Sequence, residues 1–331
     1  MNLITGGTGL IGAHLLIFLL EKGEDVRAVF RTKNSINKTK KLFDFYQKTH
    51  LFSKIEWTQA DINDVPALEK AFENISEVYH CAAYVSLSAS DDKMYKINIE
   101  GTANMVNLSI DFRVKKFCHV SSIAALGEPE KISLTITENT PWNPNANNGD
   151  YAISKYGAEM EVFRGSQEGL NVVIVNPGVI LGPEILDHGS AKFFRKVKSG
   201  MFFYTKGKTG FVAVTDVVKA MYMLMKSDIT SEKYILVGEN MSFKDFLSKI
   251  AVSVRAKKPK FYANPTMTNL ASKIDWLVAT LFFKERKLTK SMSDAAHSQT
   301  VFSNQKIKTD LNFEFTDITE YINILGTQQK I

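Results

Sequence analysis

The sequence predicts an α/β chain, a doubly wound parallel sheet with a smaller C-terminal α+β part. Three observations carry this. The chain opens with the apolar run Met1 to Thr5, breaks into glycines at 6, 7, 9 and 12, and continues into the helix-like run Ala13 to Leu20. Strand-like and helix-like runs then alternate, and the strands are continuously apolar, as strands covered on both faces are. Past Gly182-Pro183 the rhythm loosens into helix-like pieces between short strands.

Taken in order, Glu24 to Phe30 reads as the second strand, Arg31 to Ser35 as its exit loop, and a Lys-rich helix is expected to about His50. Lys54 to Ala60 is the third strand, closed by Asp61-Ile62. Pro66 suits the first turn of a helix through Phe72. Val78 to Ala82 is the fourth strand, a long helix is expected from about Asp91 to Ile110, and Phe117 to Ser121 is the fifth strand. Ser122 to Gly149 is loop-like, and a helix from Asp150 to Gln167 leads to a strand at Asn171 to Val175.

Beyond Gly182, helices are expected at Ser190 to Ser199, Thr215 to Lys226, Ser242 to Val254 and Asn269 to Phe283, with strands at Phe211 to Val214 and Lys233 to Val237. Residues 1–182 therefore read as a dinucleotide-binding domain. Residues 183–331 read as a smaller substrate-binding domain over the sheet's carboxyl edge, with allowance for a segment returning to the main sheet.

At 331 residues and 44% apolar content the chain can bury a large core. The first strand and its glycine turn occupy the place of a signal peptide, and no apolar run is long enough for a membrane span. The run Trp276 to Phe283 reads as the buried face of a helix, with a membrane-surface anchor as the alternative. Two cysteines, Cys81 and Cys118, exclude a disulfide framework and read as buried, reduced thiols, which fits a cytoplasmic location. The net charge of +6 comes from basic residues interleaved with acidic ones, so it does not predict a nucleic-acid partner. No His/Cys/Asp/Glu cluster has metal-ligand spacing, and no metal is expected.

The glycine stretch carries the first functional signal. A strand, a glycine turn and a helix in direct succession form the setting in which backbone N–H groups at a helix start hold a pyrophosphate. Gly6, Thr8, Gly9, Leu10, Ile11 and Gly12 are accordingly the candidate cofactor residues of a Rossmann-type fold. An NAD site usually carries an acid at the end of the second strand, to hold the ribose 2′-OH. Here Arg31 stands there with Lys33 close behind. A guanidinium suits a 2′-phosphate, so the sequence predicts NADP(H) in preference to NAD(H). Asp61 and Ile62, at the tip of the third strand, are placed to meet the adenine.

The second signal is Tyr151-Ala-Ile-Ser-Lys155, which puts a tyrosine and a lysine one above the other at a helix start. A phenol titrates near ~10, and a nearby ammonium lowers that value toward one useful for proton transfer. Ser121-Ser122 closes the fifth strand at the same carboxyl edge, where a hydroxyl can bond a substrate oxygen.

With these residues in place, the chain resembles the extended short-chain dehydrogenases/reductases over essentially its whole length. The matching marks are Thr5 to Gly12, Asp61-Ile62, His80 to Ala83, Asn98 to Thr102, Ser121-Ser122, Tyr151 to Lys155, and Pro177 through Gly182-Pro183. The resemblance implies Ser122 as the hydroxyl that polarises the substrate, Tyr151 as acid/base, and Lys155 as its tuner and a holder of the nicotinamide ribose. It also implies that Ala82, Ala83, Pro177, Gly178 and Val179 line the cofactor. Asn98 matches a family position with a supporting role, and a homodimer is implied through the two long helices.

Departures from the family pattern narrow the chemistry. Sugar-nucleotide dehydratases carry an Asp-Glu pair after the catalytic hydroxyl, where Ile123-Ala124 stand here. Val179 replaces the Asn of the Arg-x-x-Asn-x-Tyr-Gly-Pro run of many sugar-nucleotide enzymes. The pattern looks instead like the dihydroflavonol reductase and 3β-hydroxysteroid dehydrogenase branch.

The expected activity is NADPH-dependent reduction of a ketone or aldehyde, or the reverse alcohol oxidation. The alternatives are an NAD-dependent sugar-nucleotide epimerase and a non-catalytic NADP(H)-binding sensor. The expected small-molecule substrate is an apolar or aromatic carbonyl or alcohol, lined by Tyr84, Val85, Ser86, Ala124, Phe194 and Phe203.

Overall fold

The computed structural model describes residues 1–85, 92–128, 135–183, 189–281 and 288–328, with 277, 278, 280 and 281 described by backbone alone. The chain begins with β1 (Asn2–Thr5), α1 (Leu10–Glu21), β2 (Val26–Phe30), α2 (Lys33–Phe45) and α3 (Thr49–Phe52). Next come β3 (Glu56–Gln59), α4 (Val65–Phe72), β4 (Glu77–His80) and α5 (Asp92–Tyr95). A π-helical turn (Lys96–Glu100) joins α5 to α6 (Gly101–Asp111), followed by β5 (Lys116–Val120), a 3₁₀ turn (Ile123–Ala125) and β6 (Thr135–Ile136). Then follow α7 (Asp150–Gln167), β7 (Val172–Pro177), β8 (Val179–Leu181), α8 (Gly189–Lys198), β9 (Phe203–Tyr204) and β10 (Lys208–Ala213). After α9 (Val214–Lys226) come β11 (Glu232–Leu236), β12 (Glu239–Ser242), α10 (Phe243–Ser253), β13 (Phe261–Tyr262) and α11 (Pro265–Leu281). The last elements are α12 (Lys290–Ala295), β14 (Val301–Phe302), α13 (Gln305–Leu311) and α14 (Ile318–Gln328).

Seven strands form one parallel sheet in the order β11-β7-β5-β4-β1-β2-β3. Side chains alternate between its two covered faces. Ile4, Tyr79, Cys118, Val173 and Val175 pack with Leu15, Leu16 and Leu19 of α1 and Val217, Met221 and Leu224 of α9. Leu3, Val78, Phe117, Val172 and Ile174 pack on the other face with Phe72, Met105, Val106 and Val162. Burial on both faces is why these strands read as unbroken apolar runs. From β1 the order runs to β2 and β3 on one side and to β4, β5 and β7 on the other. That reversal opens a crevice beyond the carboxyl ends of β1 and β4.

The second half contributes more to this layer than its sequence shows. β11 pairs with β7 at the sheet edge, and α9 covers α1. The rest includes the two-stranded sheets β13-β9 and β14-β6 and a three-stranded sheet, β12-β10-β8, whose core holds Leu181, Phe211, Phe246, Ile250 and Ile322. Phe194 belongs to that core at 1% exposure, which leaves it no face for a substrate and corrects its expected place in the pocket.

Two further expectations change. The exit loop after β2 is only Arg31-Thr32, so Lys33 stands in the first turn of α2. The single helix expected from Asp91 to Ile110 is interrupted by the π-helical turn, which opens the helix where Asn98 turns its amide toward Tyr84. Ser86 lies outside the described residues. Among the described residues no helix is long and apolar enough to cross a membrane.

Candidate active site

The glycine turn sits at the crevice. Gly6 has φ +68°, and a Cβ there would stand 2.8 Å from the Cys81 carbonyl and the Ala82 nitrogen. A Cβ at Gly12 would stand 2.3 Å from the Gly6 oxygen, so α1 starts hard against the turn. Leu10, Ile11 and Gly12 form the first turn of α1, whose N–H groups lack intrahelical acceptors and point out of the helix end. Thr39 ties α2 to the turn by donating to the Gly7 oxygen at 3.0 Å.

A polar chain locks β1 to β4 beneath the turn. Thr102 Oγ1 donates to the Asn98 oxygen at 2.6 Å, so it accepts from Nε2–H of His80 at 3.0 Å. The other ring nitrogen of His80 then accepts from Thr5 Oγ1 at 2.7 Å, and Thr5 Oγ1 accepts from the Ala82 N–H at 3.1 Å. Burial, aided by the charge on Lys155, pulls His80 down to about 3 and keeps it neutral in this role.

The crevice is a cleft of about 220 Å³. It brings together Gly6, Thr8, Gly9, Arg31, Asp61, Ile62, Ala82, Ala83 and Tyr84 of the sequence-predicted residues. Thr5, Val29, Phe30, Ala60, Cys81 and Ile97 also line it. Cys81, expected to be a buried thiol, is partly exposed here, whereas Cys118 is buried. Lys33 is not among the lining residues. The glycine turn closed to any Cβ, the free N–H groups of α1 and the Arg31 guanidinium fit a dinucleotide with its pyrophosphate on the helix end.

Ser122 follows β5 directly, and its Oγ caps the 3₁₀ turn by accepting from the Ala124 N–H at 3.1 Å. The same hydroxyl hydrogen-bonds Tyr151, which stands in the first turn of α7. One turn on, Lys155 is 3% exposed and donates to the Val120 oxygen at 2.8 Å. Burial lowers Lys155 to about 8, against the raising effect of Glu159 and Cys81. Burial also raises the Tyr151 phenol above its ordinary value, and the Ser122 hydrogen bond only partly opposes this. The Lys155 ammonium donates to the Val120 carbonyl and not to the phenol, so burial and the Ser122 hydrogen bond are the influences that set the direction for Tyr151.

Supporting residues surround this set, and of them the sequence reading had named Asn98 alone. Asn98 clamps the backbone of Tyr84 from both sides, accepting from its N–H at 2.7 Å and donating to its oxygen at 2.9 Å. It also reaches Ser154 Oγ at 3.0 Å, joining the cofactor side of the cleft to α7. Glu159 lies one turn beyond Lys155 with no exposure. It accepts from Asn176 and pairs with Lys233 of β11 at 3.5 Å. Asn176 also donates to the Ser122 oxygen at 3.0 Å, fixing the loop that carries the hydroxyl. The i, i+4, i+8 spacing of Tyr151, Lys155 and Glu159 was the available signal for the acid. The part of Asn176 and Lys233 depends on strand order and had none.

Pro177 ends β7, Gly178 donates its N–H to the Leu236 oxygen at 3.0 Å, and Val179 begins β8, so this run joins the two sheets. Among the expected substrate residues, Val85 is exposed, Ala124 is half-buried in the 3₁₀ turn, and Phe203 is exposed on β9 beside Phe261.

The sequence model of the NAD dependent epimerase/dehydratase family matches residues 2–238. The chain belongs to that family. Within it, the sequence is 28% identical over 280 residues to sterol demethylase protein B of Methylococcus capsulatus, covering 80% of this chain and 78% of that protein. It is 28% identical over 265 residues to a putative dihydroflavonol 4-reductase of Synechocystis, covering 78% and 73%. The fold matches the crystal structure of UDP-glucose 4-epimerase from Thermotoga maritima with a TM-score of 0.76 at 22% identity, covering 99% and 98%. The family joins NAD(P)-dependent oxidoreductases and epimerases, so the chain is placed among enzymes of that kind.

Proposed function

We propose that the protein is an NADP(H)-dependent carbonyl reductase acting on an apolar or aromatic ketone or aldehyde, with Ser122, Tyr151 and Lys155 as its catalytic residues. The observation that carries this is the Ser122–Tyr151 hydrogen bond at the carboxyl edge of the sheet, one helical turn from buried Lys155. Ile123 and Ala124, neither of them an acid or a base, occupy the positions directly after Ser122, where a dehydratase would carry its pair.

Bound nicotinamide cofactor supplies the hydride in reduction and accepts it in oxidation. Ser122 and Tyr151 would bind the substrate oxygen, and Tyr151 would donate its proton as negative charge develops there. The raised Tyr151 phenol is protonated at neutral pH and is therefore ready to act as the acid of a reduction. Lys155 would hold the nicotinamide ribose and, with its charge, limit the cost of a transient phenolate. Arg31, at the cleft beside the end of β2, would take the 2′-phosphate. Residues 1–182 would bind the cofactor and much of 183–331 would cover the substrate.

Stereospecific NADPH oxidation with a panel of apolar carbonyls, abolished in Tyr151→Phe, tests the reading. Tightly held NAD with interconversion of UDP-sugars and no net NADPH oxidation would replace it by the epimerase reading, which membership of an epimerase/dehydratase family favours. Tight NADPH binding without turnover of any carbonyl would leave a binding protein.

A further inference from the structure

α11 is amphipathic in the inverted sense. Its polar residues face the protein: Ser293 Oγ donates to Thr268 Oγ1 at 2.8 Å and to Asn269 Oδ1 at 3.0 Å. On the same side Ser272 is buried, and Asp275 accepts from the Leu288 N–H at 3.0 Å. Three apolar residues of its first turns face out, while Ala279 further along is buried. Met267, Leu270 and Ile274, spaced i, i+3 and i+7, are 44%, 58% and 54% exposed. An ordinary surface helix places these two faces the other way round. On and beside the β9–β13 pair, whose second strand leads into the helix, Phe202, Phe203 and Phe261 are also 67%, 51% and 57% exposed. Large apolar side chains exposed along one helix face mark an interaction surface.

We propose that this face docks the protein on an anionic lipid surface, with α11 lying in the plane of the headgroups. Charge decides the occupant. From Arg255 to Leu281 the sequence has Arg255, Lys257, Lys258, Lys260 and Lys273 against the single acid Asp275, which is turned inward on its hydrogen bond. All five cations are exposed. Lys273 lies on α11 and the other four precede it, so exposed apolar side chains and cations follow one another as in an interfacial segment. The apolar groups enter the headgroup boundary and the ammonium groups meet lipid phosphate. A second copy of this chain fits worse, since a two-fold contact through the same face sets these cations against their own mates. Among the described residues α11 is not long and apolar enough to cross a membrane, and the proposal places it in the surface plane. Met267, Leu270 and Ile274, which carry the docking, belong to neither the cofactor nor the catalytic nor the expected substrate residues.

The test is flotation of the full chain with vesicles of phosphatidylcholine alone and of phosphatidylcholine with phosphatidylglycerol. The wild type floats with the mixed vesicles, weakly or not at all with phosphatidylcholine alone, and is released by salt. Leu270→Asp with Ile274→Asp abolishes flotation while thermal melting is kept. Lys257→Glu with Lys258→Glu, which touches no apolar group, weakens it by roughly fivefold or more per reversed charge. A wild type that floats with neither vesicle overturns the proposal, as does equal flotation with both. Retention of flotation in the charge-reversal variant overturns it too. A dimer that Leu270→Asp with Ile274→Asp dissociates, without flotation of the wild type, assigns the face to a second copy instead.

Discussion

Glu159 accepts a hydrogen bond from Asn176, and neither side chain has any surface exposed to solvent. The pair links α7, which carries Tyr151 and Lys155, to β7 and the Ser122 loop. Lys233 supplies the countercharge from the last strand of the sheet. Burial pushes the Glu159 carboxyl above the usual carboxylate range, with the Lys233 charge as the main opposing influence. Glu159→Ala leaves a buried amide without its acceptor and the Lys233 ammonium without its partner. It should therefore destabilise the fold by about 3–5 kcal/mol in denaturant titration. Glu159→Gln should cost less and lower Lys155 further, because the charge that raises Lys155 is gone. The alkaline limb of the rate profile then moves to lower pH, and an unmoved limb would separate Glu159 from the site.

Lys155 opposes folding wherever it is charged. Its ordinary value is 10.5 and burial lowers it to about 8 in the folded chain. Below about 8 the ammonium is charged in both folded and unfolded chains and the full burial cost applies. Between about 8 and 10.5 the cost is progressively relieved. Lys155→Met should therefore be the more stable protein near neutrality, by up to about 3 kcal/mol, with its advantage shrinking as pH rises toward 10.5. Paired thermal melts across this range measure it. An advantage independent of pH would show that packing, not charge, separates the two.

Tyr151→Phe should lower carbonyl reduction by about 10²–10⁴-fold while leaving NADPH affinity unchanged. Ser122→Ala should also lower it. Combining the two should cost little more than Tyr151→Phe alone, since the hydroxyls act as one hydrogen-bonded unit. Burial holds the phenol protonated, so reduction should be favoured toward lower pH and alcohol oxidation should rise with pH. Initial rates in both directions over a pH series check the sign.

Arg31→Ala should weaken NADPH binding by roughly tenfold to a hundredfold, the value of a charge-assisted hydrogen-bonded contact, and leave NADH nearly unchanged. Fluorescence titration with both nucleotides reads the difference directly. Equal loss for both would place Arg31 away from the 2′-phosphate.

Gly12→Ala should abolish nucleotide binding and destabilise the fold by about 1–3 kcal/mol or more, because its Cβ would stand 2.3 Å from the Gly6 oxygen. Gly189→Ala, whose Cβ would meet nothing within 4 Å, is the matched control and should melt like the wild type. Equal behaviour of the two would remove the steric argument for the turn.

The alternation of apolar strands with helices, the glycine turn at Gly6 to Gly12 and the helix carrying Tyr151 and Lys155 were all legible in the chain. Each is a local matter: a periodicity, a backbone that admits no Cβ, or a spacing of one helical turn. α7 runs from Asp150 to Gln167, as its sequence predicts. Phe194 was misread because its position on an amphipathic helix does not say which core that helix covers. The interruption at Asn98 was missed because it arises from contacts with Tyr84 and Ser154, distant in sequence.

By itself, then, the sequence determined which residues form the cofactor turn and the Ser-Tyr-Lys set, because backbone conformation and i, i+4 geometry act over a few residues. Tertiary structure alone decided that β11 and α9 return to the main sheet and that Lys233 and Asn176 meet Glu159. It also decided that burial raises the Tyr151 phenol, and that α11 turns Met267, Leu270 and Ile274 outward. Those outcomes depend on strand order and on desolvation. Both are set by which distant segments pack together, and no short stretch of chain encodes either.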